Sequence, residues 1–416
     1  MFEFGRDLRR LFEKARDSDD LGWLELIGLN LVEAEARLQS TDAGRVSCSR
    51  PHEAALRASA LWREHARRAG TAASLEKAEA AARDAAAAAQ NDDQGVRAAL
   101  AMAQAGMLAF DLCGEPARLT AAGGLLAALP TARRSDTAAA VAALHARLKS
   151  REAALSGDAE ALNEASALME AALHGLKHGR RPIEDELKLE RAALMLEAGL
   201  AARDPHILDQ AGRDLRALVE ACPPDQRPIS RARALALCAA GMAALAAVAG
   251  SPLARDQAQA LFDAAADQFT PDHSPMDWAA VQVLRAEREP LPPLVLAQAE
   301  ALTEGGGLVL GAMAHERRVA QEVGRAGSIG DLRALLEIEA GLRSRLARPA
   351  PATTPLDWAS DQIGMARVAL ARARWTGSTP DGLGLMLVEA AATARECGAP
   401  TLALAAERLI PASEKA

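Results

Sequence analysis

Along the chain, apolar residues recur three and four positions apart in stretches of helical length, and clusters of Gly, Pro, Asp and Ser separate these stretches. The pattern predicts helices in pairs: 51 to 69 with 72 to 90, 93 to 112 with 116 to 129, 133 to 155 with 158 to 178, and 182 to 202 with 205 to 221. It continues as 228 to 249 with 252 to 269, 275 to 288 with 292 to 303, 308 to 325 with 328 to 346, and 355 to 375 with 380 to 397. A closing helix from about 400 to 409 follows, and two helices, roughly 2 to 16 and 20 to 38, precede the array.

Two segments repeat. Ser274-Pro275-Met276-Asp277-Trp278-Ala279-x-x-Gln282 and Thr354-Pro355-Leu356-Asp357-Trp358-Ala359-x-x-Gln362 match at a spacing of 80, which reads as two units of 40. The shared pattern is a helix start, with Ser274 or Thr354 as N-cap, Pro at the first helical position and Asp at the third, able to return a bond to the N-cap amide. Trp278 and Trp358 then fall where a side chain packs on the preceding helix. Proline-led starts at Pro182, Pro228 and Pro275, spaced by 46 and 47, give the same kind of period.

Composition narrows the fold. Of 416 residues, 50% are hydrophobic and only 3% aromatic, with no Tyr, while Ala, the strongest helix former, is abundant. A large β domain is excluded. The net charge of -8 argues against a nucleic-acid partner, which needs a basic face to displace counterions. Five cysteines, Cys48, Cys113, Cys222, Cys238 and Cys397, lie far apart with no C-x-x-C pair, so they read as reduced thiols of a cytoplasmic protein. Cys48, beside Arg45 and Arg50, has the most electropositive setting.

Charges recur from Glu3 onward, so the N-terminus does not read as a secretory signal. On a helix, Phe4, Leu8, Leu11 and Phe12 share one face, suited to capping the array or to docking on a partner or membrane surface. Residues 234 to 254 carry no charge, but Gly250, Ser251 and Pro252 interrupt them; they read as a central buried helix and not as a transmembrane segment.

With Trp near the start of first helices, the small pairs Ala105-Gly106, Ala198-Gly199, Ala240-Gly241 and Ile363-Gly364 inside them, and Ala-rich second helices, the chain resembles the tetratricopeptide-like superfamily. Its unit is longer than the 34 residues of that repeat. The resemblance implies an all-α, right-handed α-solenoid of about eight stacked antiparallel pairs over 46–410, with capping helices in 1–45 and a tail at 411–416. A linker-like stretch at 178–182 is the natural place for a subdivision.

No catalytic chemistry assembles. His174 and His178 have helical spacing but enclose Lys177 and lack the H-E-x-x-H pattern, and no Glu stands three residues before a His. Asp17, Asp19, Asp20, Asp92 and Asp93 fit helix caps, and Gly305-Gly306-Gly307 lacks the G-K-[ST] of a phosphate loop and reads as a turn. No cofactor, metal or catalytic residue is therefore assigned. What remains is the groove that the resemblance places along the first helices. It puts Gln282 and Gln362 at equivalent positions and Arg191, Arg318 and Arg367 on other first helices, where amides and guanidiniums can hold a peptide. The expectation is a non-catalytic scaffold, adaptor or specialised chaperone that binds a protein or peptide. A regulatory sensor for a peptide or small ligand comes second, and a helical enzyme third.

Overall fold

The computed structural model describes residues 21–176, 181–202, 204–287, 289–348, 354–377 and 382–410, and no strand occurs among them. A short 3-10 helix, Leu21–Leu26, precedes α1 (Leu29–Ala43). The pairs are α2 (Pro51–Ala69) with α3 (Ala72–Ala87), α4 (Asp92–Cys113) with α5 (Pro116–Ala127), α6 (Ser135–Ser156) with α7 (Ala159–Gly175), and α8 (Arg181–Ala202) with α9 (Pro205–Ala221). They continue as α10 (Pro228–Ala249) with α11 (Pro252–Gln268), α12 (Pro275–Ala286) with α13 (Pro293–Thr303), α14 (Leu308–Ile329) with α15 (Leu332–Leu346), and α16 (Pro355–Thr376) with α17 (Leu383–Glu396). A single helix, α18 (Pro400–Glu407), closes the series. The protein is an all-α helical-repeat solenoid in which successive helices pack on their neighbours.

The helix ends follow local chemistry. Proline stands at the first turn of α2, α10, α12 and α16, where its missing N–H is not needed. Six first helices end on a left-handed glycine: Gly70, Gly114, Gly157, Gly250, Gly330 and Gly377. At Thr354 the reciprocal cap forms: the Asp357 N–H donates to Thr354 Oγ1 at 3.1 Å, and the Thr354 N–H donates to Asp357 Oδ2 at 3.2 Å. Its counterpart at Ser274 does not form a cap, because the Ser274 hydroxyl donates to the Asp277 carboxylate, which also binds Arg233.

The repeat length departs from the sequence pattern. The spacing of 80 is not two units of 40: Leu308 starts 33 residues after Pro275, and Pro355 starts 47 residues after Leu308. Pair α12–α13 is short because its helices have only 12 and 11 residues. The predicted helix at 20 to 38 is also revised, into the 3-10 turn Leu21–Leu26 and α1, which runs on to Ala43.

The core is a chain of local clusters. Val96, Met107 and Phe110 of α4 pack with Leu119 and Leu126 of α5 and with Leu144 and Leu148 of α6. Farther along, Ile229, Phe262, Phe269 and Val281 join α10, α11 and α12, with Trp278 against them. Trp358 packs on the cluster of α14, α16, α17 and α18. Nearest-neighbour packing of this kind is what a solenoid predicts. Asp92–Cys113 and Pro228–Ala246 have the length and hydropathy of a membrane span, yet half or more of each apolar window is buried inside the array.

One feature goes beyond neighbours. The array returns on itself, so that α2 packs on α12 and α4 on α14, each five pairs further along, while the 3-10 helix meets α8 and α10. Arg68, wholly buried, bridges this return: it donates to the Leu24 carbonyl at 3.1 Å, the Ile27 carbonyl at 2.9 Å and, through Nε at 3.1 Å and Nη2 at 2.5 Å, the His273 carbonyl. The break before Gly28 leaves the Leu24 and Ile27 carbonyls turned toward Arg68, with Leu24 also accepting the Ile27 N–H at 3.3 Å. Glu25 adds a second bridge, accepting from Arg227 Nε at 2.7 Å, the Ser230 hydroxyl at 2.6 Å and the Ser230 N–H at 2.8 Å. The Gly305-Gly306-Gly307 turn lies in the same seam. The Ala72 N–H donates to the Gly305 carbonyl at 3.1 Å, and a Cβ on Gly306 would stand 2.8 Å from Ala72 N and from Gly70 O.

Candidate interaction surfaces

First helices are joined by a ladder of Arg–carboxylate pairs, one at every junction. Arg97 binds Glu53 between α4 and α2 (2.6 Å), Arg151 binds Asp111 between α6 and α4 (2.6 Å), and Arg147 binds Glu190 between α6 and α8 (2.6 Å). Arg227, at the start of α10, binds Asp185 of α8 (2.9 Å), and Arg233 of α10 binds Asp277 of α12 (2.6 Å). Arg317 of α14 pairs with Glu287 at the end of α12, and Arg367 of α16 binds Glu316 of α14 (2.5 Å). Several rungs are two-pronged, as at Arg97–Glu53, Arg151–Asp111 and Arg233–Asp277. That geometry fixes the rotation of one helix against the next.

At the centre of the ladder, burial pushes the Glu190 carboxyl up, but Arg147 and Arg151 outweigh it and hold the group at about 2. Its folded value lies below the ordinary 4.5, so its contribution to stability is complete above that pH and is lost as pH falls toward 2. Urea unfolding followed by circular dichroism should therefore show a midpoint that drops below pH 4.5. In Glu190→Gln part of that drop should vanish; an identical pH profile would remove Glu190 from the account.

The ladder also decides where the sequence-predicted site residues go. Arg367 is a rung. Arg191 turns to second helices, binding Asp214 of α9 (2.9 Å) and Glu170 of α7 (3.2 Å), and Arg318 is held by Glu300 (2.9 Å) and Glu322 (3.1 Å). Gln282 is 4% exposed and Gln362 is half-buried. All three guanidiniums are thus occupied by carboxylates of the chain itself. Phe4, Leu8, Leu11 and Phe12, the residues assigned to N-terminal docking, lie outside the described residues, as does His178.

Other candidate chemistry is spent on structure. The cysteines are free thiols; Cys222 and Cys397 are buried, and burial pushes Cys222 and Cys238 up to about 11, which makes them inert at neutral pH. No group of three or more His, Cys, Asp and Glu residues suited to a metal ion occurs among the described residues.

Two outer features remain open. Trp375 is 55% exposed at the end of α16, and its indole N–H donates to the Gly327 carbonyl at 2.9 Å while its ring lies over Gly330. In the chain on either side of Gly330, the last turn of α14 and the first turns of α15 present Ile329 at 73%, Leu332 at 40% and Leu336 at 50% exposure. Leu332 and Leu336, one turn apart, share a helix face. The second feature is a recess of about 480 Å³ between α1, α2 and α3, floored by Ala43, Ala55, Ala58 and Ala81 and edged by Trp62 and Lys77. The Lys77 ammonium lies 4.2 Å from the Trp62 ring centre, and the Trp62 N–H donates to Ser40 Oγ at 3.0 Å.

No protein-family model matches the chain, and no curated protein matches it. It is similar to a solved structure described as a circular tandem repeat protein with novel repeat topology and enhanced subunit contact surfaces, at 15% identity over 93% of this chain and 94% of that one. The TM-score of 0.21 is too low for the two folds to be equated.

Sequence reasoning missed the ladder and the patch for different reasons. The ladder had a signal, since most rungs join an Arg and a carboxylate 40 to 44 positions apart, close to one repeat. The patch had none: a Trp near a helix end reads the same whether it is covered or not.

Proposed function

We propose that this protein is a non-catalytic helical-repeat scaffold that engages a partner protein through the patch centred on Trp375, with its inner face given over to holding the array in shape. The observation that carries this reading is the exposed, immobilised indole. Trp375 is fixed by a hydrogen bond and by contact with Gly330, so little side-chain entropy is lost on docking, and exposed Ile329 and Leu332 flank that glycine in the chain. Tryptophan in such a setting is the side chain most enriched among interface anchors. The unit is read as tetratricopeptide-like on the Trp near first-helix starts, the small pairs inside first helices and the Ala-rich second helices, and the setting as cytoplasmic on its dispersed free thiols.

The test is affinity capture with the full chain and two variants, Trp375→Ala and Leu336→Glu. A partner retained by the parent and lost by both variants, at unchanged helical content and with a melting midpoint within about 4 °C, supports the reading. Equal retention by all three would overturn it.

One observation favours a second reading, a sensor for a small ligand: the recess at Trp62 and Lys77 combines an apolar floor with a cation and an aromatic edge. A melting-shift screen in which stabilising compounds lose their effect in Trp62→Ala would point there instead.

A further inference from the structure

His315 lies in α14, nearly fully buried, with both ring nitrogens against carboxylates. Nδ1 is 2.9 Å from Glu300 Oε1 of α13, and Nε2 is 2.8 Å from Asp361 Oδ1 of α16. An ionised carboxylate only accepts hydrogen bonds, so both contacts are bonds only when the imidazole carries both protons. Without its Nδ1 proton the ring would turn a lone pair toward Glu300 Oε1 and give up its bond to α13, that lone pair accepting instead from Arg318 Nη2 of the ring's own helix, 3.1 Å away.

The surrounding arginines hold the two carboxylates in place. From α15, Arg345 Nε donates to both Asp361 oxygens at 3.0 Å, and its Nη2 lies 3.5 Å from Asp357 of α16. From α14 itself, Arg318 Nε donates to Glu300 Oε2 at 2.9 Å and Nη1 to Glu322 at 3.1 Å, while Nη2 stands 3.1 Å from His315 Nδ1. The adjacent Glu316 and Arg317 are engaged elsewhere, with Arg367 and Glu287. The remaining helices packed on α14 are α4, α12 and α18, and among the described residues none of them pairs a charged group with the ring. Helices α13, α14 and α16 therefore meet at one imidazole, and α15 reaches its two carboxylates through Arg345.

We propose that His315 is a protonation-operated tie: the doubly protonated imidazole holds α13 and α16 to α14, and loss of one proton to solvent loosens the junction of the last three helix pairs. Electrostatics agree in direction. Burial pushes the ring down, but hydrogen bonds to Asp361 and Glu300 raise it by more, against the opposing Arg345, and the ring ends above its ordinary 6.5. Burial pushes the Glu300 carboxyl up, yet His315 and Arg318 hold it at about 2, so Glu300 does not take over the proton in this range. For a base raised on folding, the stabilisation is complete below 6.5 and disappears as pH rises through the folded value. The tie thus opens toward alkaline pH. Because α15 and α16 also carry Leu336 and Trp375, opening would alter that patch; this consequence rests on the proposed function, whereas the tie itself does not.

The test uses the full chain. Imidazole carbon–proton resonances are followed from pH 5 to 9, with His315 assigned by its absence in His315→Gln, and hydrogen exchange is read in 293–303 and 355–376 after correction for intrinsic base catalysis. The expected result is a midpoint above 6.5, with opening of both segments increasing about tenfold for each pH unit by which that midpoint exceeds 6.5. His315→Gln should exchange with no such pH dependence, and Asp361→Asn, which keeps shape and removes charge, should move the midpoint down. A midpoint at or below 6.5, a flat exchange profile in the parent, or the same pH dependence in His315→Gln would each overturn the tie.

Discussion

Arg68→Met is expected to lower the stability of the array by about 3–5 kcal/mol and to expand the molecule at the return. The guanidinium is wholly buried and serves three backbone carbonyls, those of Leu24, Ile27 and His273. Methionine restores much of the apolar stem but supplies no donor. Three carbonyls then lose the guanidinium, those of Leu24 and Ile27 at buried bonds and that of His273 at a part-buried one, at about 1–3 kcal/mol each before relaxation. The 3-10 segment and the turn before α12 would separate, and the return would rest on the bridge from Glu25 to Arg227 and Ser230 and on the Gly305 seam. Urea unfolding gives the stability change, and small-angle scattering gives the radius. A loss under about 1 kcal/mol with unchanged radius would mean that Arg68 is incidental to closure.

Gly114→Ala carries the second large effect, and a matched control isolates its cause. Gly114 ends α4 at φ +70°, and an added Cβ would lie 2.6 Å from the Cys397 carbonyl oxygen and 2.8 Å from Leu356 Cδ1. Gly157 ends α6 at nearly the same φ, +65°, with nothing within 4 Å of an added Cβ. Both alanine variants pay the left-handed backbone cost of about 1 kcal/mol. Only Gly114→Ala must also push apart the seam between α4 and the end of α17, where the blocking atom is backbone and cannot rotate away. Its total should reach about 3 kcal/mol. Equal losses in the two variants, measured in the same urea series, would show that the seam yields freely.

The helix pairs were legible because their causes are local. Pro51, Pro228, Pro275 and Pro355 sit at starts, Gly70, Gly114 and Gly250 at ends, and the apolar spacing between them is helical. The site was less legible. Arg367 was expected to hold a peptide and is bound to Glu316, 51 positions away, because the length of the intervening repeat brings that pair together and nothing near Arg367 in sequence reveals it. His315 was one of several scattered histidines until α13 and α16 placed a carboxylate on each nitrogen.

By itself, then, the sequence determined the all-α class, the pairing of helices and the scarcity of aromatic anchors, since propensity, capping and periodicity act within a few residues. Only the tertiary structure decided that the array returns on itself, which glycines stand in the seam, which charges are spent on the ladder and which Trp stays uncovered. Those outcomes depend on the small rotation between successive pairs, which adds up over five of them to bring α2 against α12 and α4 against α14. Closure between residues some 200 positions apart is the summed result of many helix-packing angles, and no local pattern encodes that sum.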